Sequence, residues 1–230
     1  GAPCDADAEV VVTSGATAGL YATLTALVQP GDEVLLFEPC YDSYVPVVRL
    51  SGGTPVFVSL RYPDYAVDWD AVRAAITPRT RLILVNTPHN PTGTVWSADD
   101  MRQLSAIVDG TDIVIVSDEV YEHILFDLRR HESVLRYPEL RRRAVVVSSF
   151  GKTFHTTGWK VGYCVAPPPL MTEVTRVHQF VTFTVHTPTQ VAFAEFLMRD
   201  PEATALAGFY QAKRDRFLSL TSGSRFVPLA

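Results

Sequence analysis

The sequence predicts an α/β fold in which a mostly parallel central sheet lies between two layers of helices. Short apolar segments rich in β-branched residues recur along the first two thirds of the chain. Their nearly continuous apolar character is typical of strands buried on both faces of a parallel sheet. Helical patterns separate most of these segments, as expected where helices connect successive parallel strands.

The strands are the clearest elements. Each is short and ends close to a turn-forming or polar residue. We expect them at residues 9–13, 34–37, 54–58, 81–86, 112–117, 144–149 and 161–166.

Three helices between the strands have recognisable ends. The first covers residues 17–28 and is stopped by Pro30. Asp68 can cap the second helix. Ser97, with Asp100 three residues later, forms a start similar to a capping box for the third.

The alternation of strands and helices stops after three consecutive prolines at residues 167–169. A long helical pattern, interrupted once, then covers about residues 170–199, and another helix follows. We therefore predict that residues 1–170 form most of one domain. Residues 171–230 would contain its end and the helices that lead into a smaller second domain. The abrupt ends, with a strand apparently starting near residue 225, indicate a fragment of a larger protein.

The composition argues against several classes of function. A formal net charge of −5 is unusual for a nucleic-acid-binding protein, which would be basic. No apolar run is long enough to span a bilayer and no secretory leader is visible, so we expect no membrane partner. Three cysteines without a CxxC pair favour a reducing cytoplasm. Six histidines without a metal-binding spacing predict no metal site.

Two strings of small or turn-forming residues follow predicted strands. Residues 13–17 (TSGAT) connect a strand to a helix, and the free N–H groups of a helix start favour a phosphate. A turn without any ligand explains this string equally well. Residues 86–93 (NTPHNPTG) follow a buried strand, and Asn86 and Asn90 can donate amide hydrogens to a ligand oxygen. Ligands of α/β proteins gather at this edge of the sheet.

Two further strings place charged residues at strand ends. Asp118 ends an apolar strand, where an ionised carboxylate needs a cationic partner, and Tyr121 follows three residues later. Asp118 as a simple helix cap is the alternative. Ser149 precedes Lys152 by three residues, a spacing that suits a phosphate beside a reactive amine. Lys160 adds a second positive charge, although a surface position explains it almost as well.

These strings together carry a resemblance to a known family. NTPHNPTG, SDEVYEHI and SSFGKTFHTTGWKVGYCVAP, in this order, resemble class I/II aminotransferases of pyridoxal 5′-phosphate (PLP) fold type I. The similarity is strongest to the branch of kynurenine and bacterial methionine aminotransferases, and it extends from about residue 5 to residue 216. It implies that the chain is most of the large domain, with a three-layer α/β/α architecture.

The resemblance also assigns roles to single residues. Lys152 matches the lysine that carries PLP as a Schiff base and acts as the catalytic base. Asp118 matches the aspartate that pairs with the pyridine nitrogen. Asn90 and Tyr121 match the groups that bond the 3′-oxygen of the cofactor, and Tyr41 matches the aromatic residue that stacks on its ring.

The phosphate end of the cofactor is assigned in the same way. Gly15, Ala16 and Thr17 match the turn that cradles the phosphate at the helix start. Ser149 and Lys160 would assist them. Many members of the family have arginine where this chain has Lys160, and lysine supplies the charge without the bidentate fork. We therefore expect phosphate binding to survive in a somewhat looser form.

The implied activity is transamination of an L-amino acid with a 2-oxo acid by a ping-pong mechanism, in a cytoplasmic homodimer. Methionine, aromatic amino acids and kynurenine remain open as substrates, because the arginine that binds the substrate carboxylate would lie beyond residue 230. Two alternatives stay open. A carbon–sulfur β-lyase of the same fold would use the same residues, and a transcription regulator could carry a non-catalytic domain of this type.

Overall fold

The computed structural model describes residues 3–200 and 206–225. In this part of the chain seven strands form one sheet, in the order β1-β7-β6-β5-β4-β2-β3. The strands are β1 (Val10–Thr13), β2 (Glu33–Glu38), β3 (Thr54–Ser59), β4 (Thr80–Asn86), β5 (Val114–Asp118), β6 (Ala144–Ser149) and β7 (Gly162–Val165). Only β7 is antiparallel to its neighbours, so the predicted mostly parallel sheet is confirmed.

Helices cover both faces of the sheet. The helices of the described residues are α1 (Ala16–Leu27), α2 (Tyr44–Leu50), α3 (Trp69–Ala75), α4 (Ala98–Val108), α5 (Pro138–Arg141), α6 (Phe150–Thr153), α7 (Pro168–Val181), α8 (Thr187–Arg199) and α9 (Ala207–Thr221). None of the described helices is both long and apolar enough to cross a membrane.

Alternation along the strands divides the core into two layers. On β5, Val116 packs with α1 and α7 on one face, whereas Ile115 packs with α4 on the other. Leu36 and Leu35 of β2 divide in the same way. Because each central strand is buried on both faces, the predicted α/β/α arrangement is confirmed.

The helix boundaries follow the predicted caps. Ser97 and Asp100 form a complete capping box at the start of α4, and the Asp68 side chain accepts a hydrogen bond at the start of α3. The long helical pattern is interrupted between Val181 and Thr187, where α7 ends and α8 begins. Helix α2, which contains a proline, was not predicted.

One expectation needs correction. The edge strands β1 and β3 are only partly buried. At the start of β6, Arg143 Nη1 donates to the carbonyls of Val108 at 2.9 Å and Thr111 at 2.6 Å. The strand expected near residue 225 falls mostly on residues 226–230, which lie outside the described residues. The domain boundary at residue 170 stays a prediction. Helix α7 packs against α1 in the core layer that contains Val116.

The antiparallel strand β7 determines where the site forms. Gly162 pairs with Thr13 of β1 on one side and with Ser149 of β6 on the other. The carboxyl ends of β1 and β6 therefore lie at the same edge of the sheet. A Cβ atom on Gly162 would lie 2.6 Å from the Ser148 carbonyl oxygen and 2.8 Å from the Ala16 nitrogen, so glycine permits this close approach.

Candidate functional site

A pocket of about 170 Å³ opens at the carboxyl edge of β1, β4, β5 and β6. All the residues that the sequence singled out contribute to its lining. They are Gly15, Ala16, Thr17, Tyr41, Asn90, Asp118, Tyr121, Ser149, Lys152 and Lys160. The structure thus brings together residues separated by up to 145 positions (160 − 15), at the edge where α/β proteins bind ligands.

Asp118 forms the deep end of the pocket. It is the last residue of β5 and is only 3% exposed. Its Oδ2 atom accepts a hydrogen bond from the Tyr44 hydroxyl at 2.7 Å. Burial raises the pKa of Asp118 to about 6, although the hydrogen bonds from Tyr44 and from the Val120 backbone oppose this change. Such a carboxyl group would be stabilised in its ionised form by a cationic ligand group.

Two asparagines connect Asp118 to the neighbouring loop. Asn86 Nδ2 donates to the Asp118 carbonyl oxygen at 2.9 Å, and Asn86 Oδ1 accepts from the Asn90 backbone N–H at 2.7 Å. Both the Nδ2 and the Oδ1 atoms of the Asn86 side chain therefore form hydrogen bonds inside the protein. The Asn90 side chain also lines the pocket and can donate an amide hydrogen to a ligand.

The opposite end of the pocket is suited to an anion. Gly15 is the N-cap residue of α1, and no side chain caps this helix. The first N–H groups of a 12-residue helix therefore point toward the pocket with their partial positive charge. A Cβ atom on Gly15 would lie 3.2 Å from Nζ of Lys160, so the amine lies directly over the helix start. Ser149 lines the same region.

Lys152 lies between the two ends. It belongs to the one-turn helix α6, and its Nζ atom is 5.4 Å from the centre of the Tyr121 ring. Within the described residues neither Lys152 nor Lys160 forms a salt bridge with a carboxylate. Two amines that form no salt bridge in one small pocket favour binding of a negatively charged ligand.

The sequence did not single out every residue of the pocket. Tyr44, Leu20, Val120 and Thr157 also line it. Tyr44 follows Tyr41 by three residues, and their rings meet edge-on with centroids 5.6 Å apart. That spacing was the signal in the sequence that could have identified Tyr44, but using it required knowing that α2 begins at this residue. Thr157 lies in the loop between the two pocket lysines.

The donor set fits one kind of ligand. A carboxylate at one end suits a protonated ring nitrogen, and an uncapped helix start with Lys160 suits a phosphate at the other. Lys152 lies between them as a potential nucleophile. The space that a Cβ atom on Gly15 would fill keeps the phosphate end open.

Comparison with known proteins identifies a family that matches this chain. The sequence profile of aminotransferase class I and II matches residues 1–223. Methionine aminotransferase of Escherichia coli strain K12 is 52% identical over 222 residues, covering 96% of this chain and 58% of that protein. A kynurenine–oxoglutarate transaminase of Dictyostelium discoideum is 35% identical and covers 100% of this chain and 57% of its own length. The chain thus spans a little over half of these relatives.

Solved structures agree with the sequence relatives. An Escherichia coli protein described as a methionine aminotransferase superposes with a TM-score of 0.95 at 52% identity, over 96% of this chain and 59% of that chain. N-succinyldiaminopimelate aminotransferase of Mycobacterium tuberculosis gives a TM-score of 0.91 at 40% identity, over 95% and 58%. The shared architecture therefore extends over nearly all of this chain.

Proposed function

The chain belongs to the class I and II aminotransferase family, and from this we propose that it binds PLP and that the protein catalyses transamination of an L-amino acid. One observation carries the proposal. A buried carboxylate, an amine without an acidic partner and an uncapped helix start line the same pocket, at Asp118, Lys152 and Gly15. PLP has a matching ring nitrogen, aldehyde and phosphate.

Asp118 would hold the cofactor at its ring nitrogen. Its carboxylate would favour the protonated form of that nitrogen, because in a buried site each charge stabilises the other. PLP, when bound, supplies an electron sink for charge that develops at the α-carbon of an amino acid. The protein's contribution is therefore to orient the ring and to keep Asp118 ionised.

Lys152 is the proposed covalent attachment point and general base. Its amine can move the proton at the substrate α-carbon once it is free of the cofactor. Tyr121 lies beside this amine and, with Asn90, would donate to the 3′-oxygen. Tyr41 would cover the ring face.

The phosphate end would be held by Gly15, Ala16 and Thr17 at the start of α1. The backbone N–H groups of Ala16 and Thr17 would be the donors, because the Gly15 N–H already donates to the Thr13 carbonyl oxygen at 2.7 Å. Ser149 and Lys160 would add a hydroxyl and a positive charge. A lysine supplies charge without a planar fork, so we expect a looser hold than an arginine would give.

We further propose methionine, aromatic amino acids or kynurenine as amino donors and a 2-oxo acid as acceptor. The names of the relatives support this range. A cytoplasmic homodimer, with residues 1–170 in the large domain and 171–230 leading into a second domain, completes the proposal.

The proposal is tested by absorbance of the purified protein with added PLP, before and after borohydride. A visible band that borohydride removes, and a stable mass adduct on Lys152, are expected. Lys152→Ala should lose both, whereas Lys213→Ala should keep both because Lys213 lies over Phe209 on α9, outside the pocket. No band in the wild type would refute cofactor binding.

Product analysis then separates the reaction types. Transamination converts the amino acid to its 2-oxo acid only when a second 2-oxo acid is present as acceptor. A carbon–sulfur β-lyase would instead release pyruvate, ammonia and a thiol from a cysteine conjugate without an acceptor. Acceptor-dependent product formation supports the proposal, and acceptor-independent release of thiol contradicts it.

A further inference from the structure

A partly buried polar cluster lies on the face of the sheet opposite Asp118. It consists of Glu119, Glu122 and His131, whose polar side-chain atoms lie within 4.8 Å of one another. Asp118 points toward the pocket, and Ser117 points to the other face with this cluster. The cluster is therefore directly behind the strand end that carries Asp118.

Glu119 is the centre of the cluster and is 1% exposed. Its Oε1 atom accepts from the Ser117 hydroxyl at 2.8 Å and from the Val134 backbone N–H at 3.2 Å. Its Oε2 atom lies 2.7 Å from Nε2 of His131. These contacts join the end of β5 to the far end of the loop that follows it.

Glu122 extends the cluster to two other strands. Its Oε1 atom accepts from the Ser148 hydroxyl of β6 at 2.7 Å and from the Tyr163 hydroxyl of β7 at 2.9 Å. Ser148 immediately precedes the pocket residue Ser149. Tyr121, another pocket residue, lies between Glu119 and Glu122 in the sequence. The segment bearing Tyr121 is thus tied to the sheet on both sides.

Two carboxylates in a buried site repel each other unless a cation is present. Burial alone would lower the pKa of His131, but its hydrogen bond to Glu119 and the charges of Glu119, Glu122 and Glu132 outweigh that effect and raise it. His123 also faces the cluster, 3.8 Å from Glu122, and burial lowers its pKa. Of the two histidines, His131 is the one in contact with Glu119 at 2.7 Å and is therefore placed to carry the positive charge, although its buried Nδ1 atom has no hydrogen-bond partner among the described residues.

We propose that Glu119 and protonated His131 form a positioning pair that holds Asp118 and Tyr121 in place for the cofactor from behind the sheet. Neither residue lines the pocket. Loss of the positive charge would leave Glu119 and Glu122 uncompensated and loosen the loop between them. This inference rests on the proposed binding of PLP.

The test compares the holoenzyme with His131→Gln and Glu119→Gln. Glutamine at position 131 keeps a neutral N–H donor but cannot become a cation. We expect the Kd for PLP in His131→Gln to be about tenfold higher than wild type at pH 6.5, and the ratio to approach one as the pH rises through the raised pKa of His131. The matched control is His186→Gln, at an exposed histidine that contacts Thr189.

NMR of the holoenzyme with ¹³C-labelled histidine gives an independent measurement. The His131 signal, assigned from its absence in His131→Gln, should titrate above the ordinary value of about 6.5. In Glu119→Gln it should titrate at a lower pH because the main charge partner is gone. This measurement remains informative if one variant binds PLP too weakly for kinetics.

The outcomes are distinct. A Kd ratio near one at pH 6.5, an equal loss at pH 6.5 and at a pH above the pKa of His131, or a His131 signal that titrates at or below about 6.5 overturns the positioning pair. If wild type itself binds no PLP, the proposed function fails first. If wild type binds PLP and both variants bind it equally well, only this inference fails.

Discussion

The hydroxyl of Tyr44 lies 2.7 Å from Oδ2 of Asp118, and both side chains are buried. Tyr44 donates this hydrogen bond at the start of α2, across 74 positions of sequence. No residue in the described part of the chain forms a salt bridge with Asp118. Tyr44 is therefore the main neutral group that favours the ionised carboxylate before a cation binds.

Replacing Tyr44 by phenylalanine should raise the pKa of Asp118 further. The hydrogen bond lowers that pKa, whereas burial raises it, so removing the donor leaves burial less opposed. Carboxyl ¹³C NMR of the apoprotein should show Asp118 titrating at a higher pH than in wild type. Tyr41→Phe is the control, because the Tyr41 ring meets the Tyr44 ring but its hydroxyl forms no hydrogen bond with Asp118. An unchanged Asp118 pKa in Tyr44→Phe would contradict the assigned role.

Asp118→Asn should stabilise the apoprotein at neutral pH while preventing tight cofactor binding. The folded pKa of about 6 lies above the ordinary 3.8, so the folded state holds the proton more tightly than the unfolded state. The carboxyl group therefore costs stability as the pH rises through this window, by about 3 kcal/mol once the pH exceeds about 6. Below pH 3.8 the cost is absent.

Urea unfolding of the two apoproteins measures this difference. We expect Asp118→Asn to exceed wild type in free energy of unfolding at pH 7, and the two to converge toward pH 4. Asp99→Asn is the matched control, since Asp99 is exposed and forms only a surface pair with Arg102. A variant that is less stable than wild type at pH 7 would show that Asp118 already has a compensating partner in the apoprotein.

The sequence predicted the parts of the site that break a local rule. An ionisable residue at the end of an apolar strand, as at Asp118, is conspicuous because burial of charge is costly. The positions of Gly15 and Ser149 could also be predicted from the sequence, because strand ends and helix starts can be located from hydrophobic patterns. The seven predicted strands are present, whereas their order in the sheet was not predicted from the sequence.

Contacts between distant side chains were not predictable in this way. Tyr44 lies in a helix that contains a proline and has no side-chain cap hydrogen bond, so neither its helix nor its direction could be inferred. Glu119 and His131 lie in one segment, but nothing in the spacing shows that the loop closes on itself. Such pairs depend on packing in three dimensions rather than on local preference.

Gly15→Ala should weaken PLP binding in addition to reducing stability. Gly15 has a φ angle of +78°, where an L side chain is strained by about 1 kcal/mol or more. Its added Cβ would lie 3.2 Å from Nζ of Lys160, so the amine must move away from the start of α1. We expect at least a tenfold increase in the Kd for PLP, measured by titration of the apoprotein.

Gly31→Ala separates the effect on PLP binding from the effect on stability. Gly31 has a φ angle of +93°, and an added Cβ there would meet nothing within 4 Å. Both variants should lose similar stability in urea unfolding, because both place a side chain on a left-handed backbone. Only Gly15→Ala should bind PLP more weakly; equal Kd values for the two would mean that the helix start does not contact the phosphate.

Lys160 offers the sharpest test of the phosphate end. Its amine lies over the start of α1, and its backbone is left-handed with φ of 54°. Lys160→Ala should raise the Kd for PLP about tenfold, through loss of one charge-assisted hydrogen bond. Lys160→Arg should bind PLP at least as tightly as wild type, because a guanidinium can contact two phosphate oxygens at once.

Pyridoxal, which lacks the phosphate, shows whether Lys160 acts where we place it. If Lys160 contacts the phosphate, Lys160→Ala should raise the Kd for PLP, and both substitutions should leave the Kd for pyridoxal nearly unchanged. If Lys160 instead acts on the ring or on the fold, the two ligands should be affected alike. The free energy of unfolding of each apoprotein is measured alongside the titrations. The left-handed backbone at position 160 is present in all three proteins, so its cost cancels from the comparison. Weaker binding of PLP but not of pyridoxal, without a loss of stability, would therefore place the amine at the phosphate. Equally weaker binding of both ligands would contradict that placement.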